Sequence, residues 1–182
     1  MSLSAVLSVP AVPAQPRMRL RAAAVIQRPG QVLLHRAEGD AFWALPGGGI
    51  EPGESAGEAL VREMQEELGL TVRPGVLACV VENFFVYAGV AYHETGLYLQ
   101  AHPVPGGLLD QSGGPYEGRE GRRRLEFAWF AHGELAGLDL RPPFLREALG
   151  RDMAQVLHIV YRDPPPPEAP PAPAPSLSKA IA

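Results

Sequence analysis

The sequence predicts an α/β fold, a mixed sheet carrying helices on its faces, and three observations predict it. Apolar runs of strand length lie both before and after one helix-patterned segment. Turn signals join several of those runs into hairpins, and no internal repeat competes with that arrangement. A chain of 182 residues with 46% hydrophobic content suits one well-cored domain. Of its 20 prolines, Pro10, Pro13 and Pro16 lie near the start and eight more fall between Pro164 and Pro175. The folded body is therefore expected over residues 17–162, between a flexible extension at 1–16 and a disordered Pro/Ala tail at 163–182.

The elements follow in chain order. Leu20–Ile26 and Val32–His35 are β-compatible runs separated by Arg28-Pro29-Gly30, which reads as a hairpin. The glycine-rich loop Leu45-Pro46-Gly47-Gly48-Gly49 comes next. From Ser55 to Leu68 the spacing is helical: Ser55 can cap, Glu58 stands three residues on, and Gly69 lies where a terminal glycine belongs. Val76–Tyr87 and Ala91–Ala101 read as two longer strands joined through Ala88-Gly89. The segment Pro103–Arg124, rich in Gly, Pro, Ser and charge, reads as a long surface loop. Leu125–Phe130 resumes as a strand, Phe144–Leu149 suggests a short helix, and Val156–Tyr161 a last strand or helix end.

A formal net charge of −4 argues against a surface that coats nucleic acid, because such binding rests on many Lys and Arg neutralising phosphates. An anionic protein can still handle an anionic substrate if a cation bridges them. The single cysteine, Cys79, excludes an intrachain disulfide and lies in an apolar run, where a buried inert thiol is expected. Leu3–Val12 is apolar but lacks a basic leader and is broken by prolines, and no run reaches the ~18 residues of a membrane span. A cytoplasmic, membrane-free protein is the expectation. His35, His93, His102, His132 and His158 have no zinc-like spacing.

The chemistry concentrates on the helix. At roughly 100° per residue from Leu60, the residues Met64, Leu68 and Val61 form an apolar stripe. Glu67, Glu63 and Glu66 fall about 20°, 60° and 120° to its other side, so three carboxylates crowd one edge of the stripe. A solvated acidic face would show the same residues, since exposed like-charge pairs cost only ~0.2–0.5 kcal/mol. The glycine loop upstream shifts the balance, because bare backbone there can approach a ligand, and carboxylate and carbonyl oxygens are the ligands that Mg²⁺ or Mn²⁺ takes.

Gly48, Glu54, Arg62, Glu63, Glu66, Glu67 and Gly69 match without a gap the pattern G-x5-E-x7-R-E-U-x-E-E-x-G-U, with Met64 and Leu70 at its bulky apolar positions. Seven fixed residues give a chance match near ~10⁻⁸ per start position. In this the sequence resembles the Nudix hydrolases, and the resemblance extends to Val32-Leu33-Leu34-His35-Arg36, Trp43-Ala44-Leu45-Pro46-Gly47, Val81-Glu82-Asn83-Phe84-Phe85 and Glu126–Phe130. It implies an α/β/α sandwich whose loop-helix-loop holds divalent cations against a diphosphate. Carried over by position, Glu66 and Glu67 would be metal ligands, Glu63 a ligand or the group orienting the attacking water, and Gly47 a carbonyl ligand. Arg62 would pair with Glu54 or Glu63 to fix their geometry.

Members of that family often recruit an acid outside the box. The choice here lies among Glu94, Glu117, Glu120 and Glu126, with Glu120 or Glu117 favoured because the long loop could swing over the site. Arg21, Gly48 and Glu94 are the candidates for substrate contact, and Arg122-Arg123-Arg124 could meet phosphates or solvent. Phe84, Phe85, Tyr92 and Trp43 could stack on a base or simply fill the core. The implied reaction is metal-dependent hydrolysis of a phosphoanhydride bond in a nucleoside-diphosphate compound: a nucleoside triphosphate, ADP-ribose, a dinucleoside polyphosphate or a sugar nucleotide. The partner would be this small molecule, with a homodimer open. Three rival readings are a Nudix-fold sensor that binds without hydrolysis, an isoprenoid-diphosphate isomerase, and an interaction protein working through Pro164–Pro167.

Overall fold

A computed structural model describes residues 15–150, apart from residue 112, and residues 155–164. Most of the N-terminal extension and of the proline-rich tail lies outside these residues, and so does the apolar stretch Leu3–Val12. The strands are β1 (Arg17–Val25), β2 (Gln27–Arg28), β3 (Gln31–Ala37), β4 (Val72–Tyr87), β5 (Val90–Pro103), β6 (Tyr116–Glu120), β7 (Arg123–Ala131) and β8 (Leu157–Arg162). The helices are α1 (Ala56–Leu68), α2 (Leu108–Gln111) and α3 (Leu145–Ala148), with a 3-10 turn at His132–Gly137.

The strands form two sheets. One has the order β1-β5-β4-β8, with β1 parallel to β5, β5 antiparallel to β4, and β4 parallel to β8. The other, β2-β3-β7-β6, is antiparallel throughout. Successive residues of β1 alternate between two cores: Ala22 and Ala24 pack with Leu60, Met64 and Phe127 under α1, while Ala23 and Val25 pack with Trp43, Cys79, Leu135 and Leu145 under the 3-10 turn and α3. Both faces of β1 are therefore covered from Ala22 to Val25, which is why that half reads as a continuous small-apolar run, while Arg17–Arg21 alternates and is largely exposed.

Helix α1 forms as its sequence predicts. Ser55 accepts from the Glu58 amide, the Glu58 carboxylate accepts from the Ser55 amide at 2.8 Å, and Gly69 ends the helix at φ 63°. The Gly69 and Leu70 amides return to the carbonyls of Gln65 and Met64. The β4–β5 hairpin also forms as expected, through Ala88 (φ 49°) and Gly89 (φ 77°).

Two expectations are corrected. The run Leu20–Ile26 does not pair along its length with Val32–His35: β1 joins β5 in the first sheet, and only Gln27 and Arg28 turn back onto β3. Pro103–Arg124 is not one surface loop. It contains α2 and the strand β6, which pairs with β7 through a tight turn that sets Glu120 opposite Arg123. Among the described residues no helix is long and apolar enough to cross a membrane.

Candidate active site

The glycine loop is stitched along β1: Ala24 and Ala22 donate to the carbonyls of Pro46 and Gly48, and Ile50 donates to Leu20. None of these bonds uses the Gly47 carbonyl. Glycine is required at Gly47, which has φ 129° and faces fixed backbone, whereas at Gly48 the neighbour is the movable end of a side chain. A Cβ on Gly47 would lie 2.2 Å from the Ala22 carbonyl oxygen, and one on Gly48 would lie 2.2 Å from the Glu63 carboxylate. The loop thus brings bare backbone against a helix carboxylate.

On α1 the side-chain exposure of the three acids follows their angle from the apolar stripe: 3% at Glu67, 13% at Glu63 and 62% at Glu66. Arg62 holds this edge together. Its Nε and Nη2 each donate to Glu54 at 2.9 Å, Nη1 donates to Glu63 at 2.9 Å, and Nη2 also reaches the Gly49 carbonyl. Glu66 stands 3.5 Å from the same guanidinium. The hydrogen bonds from Arg62 hold the Glu54 carboxyl below its usual range.

Glu67 is the odd member. Its Oε2 is buried and has no hydrogen-bond partner among the described residues. Burial pushes its carboxyl up to about 8, against the pull of Arg21 and of the Gly47 amide, with Glu63 and Glu120 adding to the rise. His35 of β3 faces it at 3.9 Å, too far for a hydrogen bond. Burial and the Arg21 charge push this imidazole down to about 3. Both groups are thus driven to their neutral forms, and the contact is not an ion pair.

Glu67 opens into a cleft of about 360 Å³, also lined by Gly47, Arg21, His35, Glu94 and Glu120. Glu120 therefore reaches the site from the fixed end of β6, not from a swinging loop. Glu117 and Glu126 face a neighbouring groove, where Glu126 is paired with Arg36 at 2.7 Å. Glu94 is buried and ion-paired with Arg19. Arg21 donates to the Leu45 carbonyl and, among the described residues, has no carboxylate within ion-pair distance. Of the arginine run, Arg123 bridges Asp40 and the Tyr87 hydroxyl at the cleft wall, and Arg124 pairs with exposed Glu38. Trp43 is core, Phe84 stacks with His93, and Phe85 and Tyr92 stack on each other at 5.2 Å, with Phe85 lining the cleft. Burial pushes the Cys79 thiol up, as an inert core cysteine requires.

Sequence reasoning missed His35, Asn83 and Asp40 as cleft residues. For the first two a signal existed. His35 follows Leu33 on one face of β3, and Asn83 follows Cys79 and Val81 on one face of β4, so each puts a polar group at an inward position of an apolar strand.

The donor set suits a hard divalent cation. An orphaned carboxylate oxygen at Glu67, a second carboxylate against Gly48 and a nearby carbonyl are oxygen ligands of the kind Mg²⁺ and Mn²⁺ take. Among the described residues no three acidic, histidine or cysteine side chains converge into a ready-made cage. Backbone oxygen, substrate phosphate and water would complete such a site, as is usual for magnesium.

Comparison with known proteins identifies the family and the fold. The model of the NUDIX domain family matches residues 17–149. An RNA pyrophosphohydrolase of Serratia proteamaculans (strain 568) is 40% identical over 63 residues, 35% of this chain and 36% of that protein, so the chain spans about a third of the length of this curated relative. A MutT Nudix hydrolase from Burkholderia pseudomallei is similar in structure at 30% identity and TM-score 0.52, over 74% of this chain and 97% of that one. The MutT protein of Bacillus halodurans shares the fold at TM-score 0.58 and 23% identity, over 79% of this chain and 89% of that one.

Proposed function

The chain belongs to the Nudix family, and on that premise we propose that it hydrolyses a phosphoanhydride bond in a nucleoside-diphosphate compound with the help of Mg²⁺ or Mn²⁺. The observation that carries the reading is the buried, unpartnered Glu67 oxygen facing a cleft beside an intact box. A polar group left so exposed to desolvation is retained where a ligand completes it.

In this reading Glu67, Glu63, Glu66 and the Gly47 carbonyl hold the metal, and residues 17–162 make up the catalytic domain. When bound there, a cation would neutralise diphosphate charge and make a water more acidic. Arg62 keeps Glu63 and Glu54 in place, so that the row of acids does not spring apart before the cation arrives. Arg21, which has no carboxylate partner among the described residues, donates to a phosphate oxygen, and Gly48 lets the substrate approach the backbone. Glu120 is the acid outside the box and accepts a proton from the attacking water. The water oxygen forms the new bond to phosphorus, and the bridging P–O bond breaks. Its electron pair leaves with the second phosphate.

The test is phosphate or nucleotide release from nucleoside triphosphates, ADP-ribose, dinucleoside polyphosphates and sugar nucleotides with Mg²⁺ or Mn²⁺, comparing wild type with Glu67→Gln. Metal-dependent turnover that the variant loses is the expected result. Binding without turnover on every compound would replace this reading with the non-hydrolysing sensor.

A further inference from the structure

Two residues along β1 from Arg21, about 7 Å at strand spacing, a row of polar side chains crosses the first sheet. Arg19 of β1 is in register with Glu94 of β5, Glu94 with Asn83 of β4, and Asn83 with Tyr161 of β8. All four line the cleft that Glu67 opens into. One row farther out lie Tyr92 and Phe85, stacked with their planes 15° apart.

This row is built, not incidental. Glu94 is 3% exposed and Asn83 7%, on strands whose other inward residues include Cys79, Val81 and Tyr98. The Asn83 Oδ1 has no hydrogen-bond partner among the described residues, a cost that a folded chain rarely carries without a ligand to relieve it. The proposed reaction uses neither Asn83 nor Glu94, so their burial in the cleft has no account from the metal end.

Resting on the hydrolase reading above, we propose that this row reads the base of the substrate nucleotide and selects guanine. Arg19 Nε and Glu94 Oε2 are joined in an ion pair, so in strand order the row offers a donor in the remaining N–H groups of the Arg19 guanidinium, an acceptor in the other oxygen of the Glu94 carboxylate and an acceptor in the Asn83 carbonyl. Guanine presents the complement along one edge: acceptor O6, donor N1–H and a donor amine on C2. Hypoxanthine lacks that amine, and adenine also leaves the Asn83 carbonyl unanswered. Uracil and cytosine each present an acceptor at that end. The Phe85–Tyr92 pair, one row out, supplies an apolar wall for the ring.

The experiment compares guanine, hypoxanthine, adenine, cytosine and uracil forms of one scaffold, starting with the nucleoside triphosphates and Mg²⁺, by kcat/KM and by equilibrium binding. Guanine is expected to exceed hypoxanthine by about tenfold or more, since a site built to bond an amine leaves a buried acceptor unpaired without it. Asn83→Ala is expected to bring the guanine-to-hypoxanthine ratio close to one, while Asn83→Asp, which keeps an acceptor, preserves it. The ratio does not depend on how much of each variant folds. Turnover with no preference for guanine, or a ratio unmoved by Asn83→Ala, overturns this proposal and leaves the hydrolase intact. Guanine-selective binding without turnover of any compound supports the row and overturns the hydrolase.

Discussion

Replacing Glu67 by glutamine should make the metal-free protein more stable while destroying its activity. Protonated glutamate and glutamine are close to isosteric, and in this site both are short of partners, so the difference between them is the ionisation of the carboxyl. Its ordinary value of 4.5 is pushed up to about 8 by burial. The sign follows from linkage: above 4.5 the unfolded chain releases the proton and the folded one keeps it, so stability falls as pH rises until the folded group also ionises. At about 1.4 kcal/mol per pH unit the loss is roughly 3 kcal/mol by pH 7 and about 5 kcal/mol when complete. For a domain of this size ~3 kcal/mol corresponds to a melting point on the order of 10 °C higher for the variant. The assay is urea and thermal unfolding of both proteins in a chelator from pH 5 to 8.5, with the two curves close at pH 5 and diverging upward. A variant no more stable than wild type at pH 8 would refute the reasoning, because the carboxyl would then not carry the desolvation that a cation is supposed to relieve. Added Mg²⁺ or Mn²⁺ should stabilise wild type more than the variant.

Arg62→Lys keeps a charge but loses the fork that grips Glu54 and Glu63 together. Metal affinity or kcat is expected to fall about 10–100-fold with the fold retained, as read by circular dichroism beside kinetics. In Gly118→Ala the new methyl would sit 2.3 Å from the Glu67 carbonyl and 2.6 Å from the Phe127 ring. The end of α1 must shift, and about 1–3 kcal/mol of stability should go with it, seen as a lower denaturant midpoint. His35, pushed down to about 3, is buried neutral. Its share of stability is full above 6.5 and lost as pH falls toward 3, because only the unfolded chain takes up the proton. His35→Asn should therefore flatten the acid limb between pH 6.5 and 4, and an unchanged limb in urea unfolding would count against that assignment.

What the sequence made legible was local. The cap at Ser55, the glycine at 69 and the angular order of Glu67, Glu63 and Glu66 around α1 are set by neighbours within four residues, and the structure reproduces them. Pairing across the chain was not legible in the same way. Nothing near Leu20 announces that it will lie beside Thr95 instead of returning to β3. The most instructive miss is β6. Its segment, rich in Gly, Pro, Ser and charge, reads as loop, and Gly118 within it is a residue that weakens a strand in general. Here the missing side chain is what lets β6 lie against the carbonyl of Glu67, so the same residue that hid the strand is the one that allows it to pack there. Glu120, two residues on, owes its place at the cleft to that close approach. A glycine inside a polar segment thus carries two opposite meanings, and only the position of α1 decides between them. His35 and Asn83 show the converse. Each breaks the apolar alternation of its own strand, so the departure is visible in the sequence before any fold is known, while its purpose becomes visible only when the fold brings Arg21, Glu67 and Glu94 to one cleft.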